Sequence, residues 1–239
     1  MERKINIEIH PKKVFAYLLV VITVLLFANI LGIVSKYYFG HNSVYGLVKL
    51  FDFDTEKNIP TFYSAMALFL VSVLLQFIGF AHKKLKSSYL PWLGLAIIFL
   101  FLSVDEFVSI HERFTAPVSK LLITSGQVYP AAWAIPYGVA LIVLIVVYFK
   151  FLMDLPTKIR NLFLLSGIIF VTGAIVLEYI GAGHVKLYGE DNLVFTVLYT
   201  CEEFLEMLGI VFFIYTLLSY MVIQSHSLTF TFRENKESI

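Results

Sequence analysis

The chain has one cysteine, Cys201, in 239 residues. It therefore forms no intrachain disulfide and no thiolate metal cage. Charge is scarce too: only 15% of residues are Asp, Glu, Lys or Arg, against about a quarter in a soluble domain. Basic residues are few and sit in short loops, which excludes a nucleic-acid-binding surface. What fills the chain instead is apolar, with 59% hydrophobic residues and a mean hydropathy of +0.83. Apolar runs of about twenty residues recur along the whole length, the pattern of an all-α, polytopic integral membrane helical bundle.

Six transmembrane helices are expected, at 14–34, 61–81, 90–112, 131–149, 161–183 and 193–223, followed by a short tail at 224–239. The whole forms one transmembrane domain. Pro136 is expected to kink the fourth span. The sixth would be ~46 Å long at 1.5 Å per residue, so it must tilt or extend beyond the bilayer. The basic N-terminus and the run after it are read as a retained first span, because the run is longer than a signal h-region and no small-x-small site follows.

Twelve of the eighteen basic residues fall on the side shared by the two termini and the loops at 82–90 and 150–160. The positive-inside rule then places both termini in the cytoplasm. Acidic residues show the opposite bias, with twelve of seventeen in outer loops or the outer halves of spans. Asp and Glu contribute little to topology, so this bias calls for another cause.

Three spans supply it. FLSVDEFVSIHERF in the third carries Asp105, Glu106, His111 and Glu112; the fifth carries Glu178; and CEEFLEMLG in the sixth carries Glu202, Glu203 and Glu206. At 100° per residue Asp105, Ser109 and Glu112 share a stripe, while His111 points about 120° away. Tyr199 falls within the arc of the sixth-span carboxylates, and His184 follows the fifth span in GAGH. Intramembrane carboxylates are costly, and several together need protons or a bound cation to balance them. Carboxylate oxygens with one or two imidazole nitrogens suit Zn, Mn or Fe. The expected metal ligands are Asp105, Glu106, Glu178, Glu202, Glu206 and His111, and the expected catalytic groups are Asp105, Glu106 and Glu203. The plain alternative makes His111 and Glu112 interfacial residues and His184 a solvated one.

Known chemistries narrow the reading. A zinc-protease HExxH needs a histidine where this chain has Thr115. GAGH is not the Gly-x-Gly-Asp of intramembrane aspartyl proteases, no mid-span lysine serves a retinal, and the Glu-x-x-His pairs of di-metal bundles are missing. The loop FDFDTEKNIPT, with Asp52, Asp54 and Glu56, lacks the glycine and terminal glutamate of a calcium loop. It reads as a polar turn with Pro60 starting the second span, and Phe51 and Phe53 would lay it on the membrane surface.

SVDEFVSIHE, FDFDTEKNIPT and EEFLEMLG together resemble an uncharacterised family of bacterial multi-spanning membrane proteins. The resemblance implies a location in the bacterial inner membrane and carries no activity with it. From the residues, the expected function is a metal-dependent membrane enzyme of hydrolase or oxidase type at the outer leaflet. The alternatives are a proton- or cation-handling transporter or channel, and a non-catalytic subunit or sensor. Membrane lipid is the expected partner. The inner halves of the spans are too apolar to line an ion path in one copy, so a conduit would call for a homo-oligomer.

Overall fold

A computed structural model of the chain describes residues 4–6, 9–122, 130–225 and 229–231. It is all-α, with six helices long and apolar enough to cross a membrane. They are α1 (Pro11–Phe39), α3 (Ile59–Lys84), α4 (Leu90–Val108), α6 (Ala134–Asp154), the continuous α7 (Thr157–Val171) and α8 (Glu178–Tyr188), and α9 (Leu193–Ser225). Two shorter helices, α2 (Leu47–Phe51) and α5 (Ile110–Leu122), lie in the connections at one end of the bundle. At the other end Lys4–Asn6 pairs antiparallel with Thr229–Thr231, so both termini are on one side.

The ends of these helices follow from their residues. Proline opens α1, α3 and α4, where a missing N–H costs no hydrogen bond. Asn58 caps α3 by accepting from the Thr61 N–H at 3.1 Å, and Asn192 caps α9 by accepting from the Phe195 N–H at 3.0 Å. Pro136 falls in the first turn of α6 rather than at mid-span, so the expected kink gives way to a helix start.

Burial sorts the helices. α3 and α9 form the centre, and α1 and α6 lie outside it with apolar side chains turned outward, Val24, Phe27, Val146 and Val147 among them. In water such stripes would be an aggregation hazard; against acyl chains they cost nothing. Toward the termini Leu75, Trp92, Ile159, Ile214 and Leu217 pack a dry core. Trp92 stacks there on Tyr220 and lies edge-on to Phe151.

Small residues let the central helices touch. A Cβ on Gly209 would meet Phe170 at 2.7 Å, and one on Gly173 would meet the Glu202 carbonyl oxygen at 2.7 Å. Gly173 lies in a π-helical stretch, Thr172–Leu177, between α7 and α8. Such bulges insert an extra residue and turn the following side chains to a new face. Here the residue that follows is Glu178.

The third span departs most from expectation. Instead of running to residue 112, α4 ends at Val108, and Ser109 takes a left-handed conformation at φ 54°, ψ 53°. The chain then starts α5 in a new direction. The helical phase that would carry His111 away from Asp105 is broken at that residue. His184 also differs: it lies within α8 rather than in a loop.

Candidate functional site

Beyond the apolar core a cavity of about 460 Å³ opens among the halves of the helices away from the termini. Its walls carry Asp105 and Glu106 from α4, Glu178 from α8, and Glu202, Glu203 and Glu206 from α9. Asp54 and Glu56 come from the loop before α3, and His111 and Glu112 from α5. Thr115, Tyr137, Glu190 and Tyr199 add to the polar lining, and among the described residues that line the cavity none is a lysine or arginine. The structure thus places every carboxylate singled out in the third, fifth and sixth spans around one cavity, while Asp52 of the loop lies outside it. His184 is not part of it: its Nε2 meets Asn192 Oδ1 at 2.8 Å, and its ring lies against Tyr188.

The turn at Ser109 builds the most ordered part of the site. Asp105 Oδ1 accepts the His111 N–H at 2.8 Å and lies 3.3 Å from His111 Nδ1. Asp105 Oδ2 accepts the Tyr137 hydroxyl proton at 2.8 Å. Both oxygens of a buried carboxylate are therefore engaged. With Nδ1 held by Asp105, Nε2 is the nitrogen His111 could offer to a metal, as where an outer carboxylate orients a ligating imidazole. The His111 ring packs on Trp133, which stands edge-on to Tyr137. The Trp133 indole N–H donates to Glu178 Oε1 at 2.9 Å, tying the start of the fourth span to the fifth.

His111 faces Glu56 and Glu112, and one ligand atom from each of the three lies within 4.8 Å of the others. This group could hold a metal ion. Beside this group, Ser109 Oγ lies against the Glu56 carboxyl as a hydrogen-bond donor, and both Ser109 Oγ and Glu56 Oε2 are shut off from solvent.

Electrostatics outside the spans reflects the crowding of acids. Burial pushes the Glu56 carboxyl above its ordinary range, and the Glu112 charge adds to this. Asp54 is pushed up to about 6, first by desolvation and then by Asp52 and Glu190. For His111, burial acts downward, but the Asp105 hydrogen bond and the charges of Asp105, Glu106 and Glu56 outweigh it and hold the imidazole above its usual value.

Several of these residues escape a reading of the sequence alone. Glu56 and Asp54 look like a polar turn, and Asn58 and Pro60 do form one. Yet its phenylalanines turn inward: Phe53 is inserted among Ile22, Leu25, Met207 and Val211, and Phe51 packs against the same cluster. Asp54 and Glu56 sit in a segment of turns and bends where no strand or helix period applies, so no local pattern marks them as lining residues. Trp133 and Tyr137 lie four apart at the start of the fourth span, the spacing of neighbours on one helical face.

Six membrane-length helices around an acid-lined cavity define a multi-pass helical membrane protein. Within that class the chain belongs to the DUF8692 family, a domain of unknown function whose signature covers residues 15–220. It matches no curated protein and no solved structure.

Proposed function

We propose that the protein is a metal-dependent membrane hydrolase acting on lipid at the outer leaflet of a bacterial inner membrane, with both termini in the cytoplasm. One observation carries the reading: His111, oriented by Asp105, faces Glu56 and Glu112 at the mouth of the cavity. Two carboxylates and an imidazole suit Zn, Mn or Fe and leave coordination positions free. An ion held there supplies Lewis acidity toward a substrate carbonyl or phosphoryl oxygen.

The remaining roles fall to this chain's own side chains. Asp105 holds the imidazole, and Tyr137 holds Asp105. Glu106, whose charge acts on both Glu56 and His111, takes the proton from the attacking water. Glu203, on which the Glu106 charge acts, gives its own proton to the leaving group and is reprotonated from Glu106. Glu178, Glu202 and Glu206 line the deeper wall, where an ammonium-bearing headgroup or a second cation would balance them.

The excess of carboxylates also favours a second reading, proton or cation handling. Against a through path, the buried hydroxyls below the cavity are spent locally: Ser72 donates to the Ala96 carbonyl, Thr216 to Phe212 and Ser166 to Phe163. Two assays in liposomes separate the readings. Metal-dependent headgroup release that is lost in Glu106→Gln supports the hydrolase. Cation flux that is lost in Asp105→Asn, without release, replaces it with the conduit.

A further inference from the structure

The loop that delivers Glu56 is anchored by a residue on a different helix. Asn29 sits in α1, a mostly apolar helix with most of its surface turned away from the bundle, yet it is only 2% exposed. Its amide is used at both ends. Asn29 Oδ1 accepts the Phe53 N–H at 3.1 Å, and Asn29 Nδ2 donates to Thr200 Oγ1 at 3.1 Å. Thr200 passes its own proton to the Thr196 carbonyl at 2.7 Å. The Phe53 ring is buried against α1 and α9, so the backbone bond and the ring fix the same point of the loop. Three residues on is Glu56. Two residues beyond that, Asn58 caps α3 and ties back to the Asp52 carbonyl.

We propose that Asn29 is the positioning residue that sets Glu56 opposite His111, coupling the first span to the metal group. A lone asparagine in a lipid-facing helix has a plain structural use in joining α1 to α9, and the Thr200 bond alone would serve it. The bond to the Phe53 N–H is the part that use does not require. It fixes backbone in the segment that carries the carboxylate. The proposal rests on the reading of Glu56, His111 and Glu112 as a metal group.

The test uses the full-length protein in detergent, with Mn²⁺ alone as probe and amide hydrogen exchange as a readout that needs no metal. In Asn29→Leu, exchange across residues 52–58 should rise at least tenfold while the rest of α1 and α9 holds, and Mn²⁺ affinity should fall tenfold or more. Asn29→Asp, which keeps the acceptor for Phe53, should restore both to within threefold. Adding Asn29→Leu to Glu56→Gln should cost no further affinity, because Asn29 acts only through that ligand. If Asn29→Leu does not fold, Asn29→Ala takes its place. Unchanged exchange in the loop, or fully additive losses, would overturn the proposal. If the wild type binds no metal while loop exchange still rises, the positioning stands and the metal reading falls.

Discussion

His111 and Asp105 are joined twice, through the His111 backbone N–H at 2.8 Å and through its ring Nδ1 at 3.3 Å, both to Asp105 Oδ1. Six residues apart, they could not meet on a continuous helix. The left-handed Ser109 between them makes the contact. A serine held in that conformation costs free energy, and such strain gathers where function over-determines it. These two hydrogen bonds turn a hydrophobic helix end into one side of a site.

Asp105→Asn keeps the shape of the site but loses the charge that selects the His111 tautomer. Loss of such an outer partner typically costs about 10–100-fold in metal affinity. We expect a drop in that range by metal titration, with the folded fraction little changed. An affinity equal to wild type would remove Asp105 from this role.

Tyr137→Phe deletes only the hydroxyl that donates to Asp105 Oδ2. The expected loss is smaller, ~1 kcal/mol as for a typical hydrogen bond, or a little more because the acceptor is charged. It should appear as a fivefold to tenfold weaker metal affinity. Tyr137→Phe and Asp105→Asn together should show less than the sum of their effects.

Metal affinity should fall as pH drops through the neutral range. Imidazole ligates only when neutral, and His111 is held protonated above its ordinary value by Asp105 and the surrounding carboxylates. Lowering pH from about 8 to 6 therefore adds a proton that the ion must displace. The slope should be lower in His111→Ala, whose residual binding has lost that competition. Equal slopes would contradict the assignment.

Gly173→Ala places a methyl 2.7 Å from the Glu202 carbonyl oxygen and 3.1 Å from the Glu206 nitrogen. Backbone cannot yield as a side-chain end does, so the π-helical stretch must separate from α9 at a cost of ~1–3 kcal/mol. Thermal unfolding in detergent should show this loss. Gly167→Ala, with nothing within 4 Å of its new methyl, should be neutral or slightly stabilising.

The fold was legible because lipid imposes a long and simple code: six apolar runs gave six spans, and prolines and asparagines marked their starts. The span ends were not, since α1 and α8 continue past the apolar core into polar residues. The carboxylates of α4, α8 and α9 could be grouped from helical phase and depth, because each remains on its helix. Phase failed where the helix itself stopped. Nothing in SVDEFVSIHE announces that Ser109 turns left-handed, so His111 looked misdirected when it is held at the mouth. Glu56 was hidden for another reason: its position depends on Asn29 and Phe53, contacts distant in sequence that no local pattern records. Trp133 and Tyr137 fall inside the expected fourth span, and their polar ends become meaningful only beside Glu178 and Asp105.

The central claim is that Glu56, His111 and Glu112 hold a metal ion. Elemental analysis of protein purified without chelator, compared with Glu56→Gln and His111→Ala prepared the same way, addresses it most directly. The account predicts close to one equivalent of Zn, Mn or Fe in the wild type and little in either variant, with all three equally folded. Wild-type protein without metal that also takes up none on titration, or variants that retain the full equivalent, would contradict it.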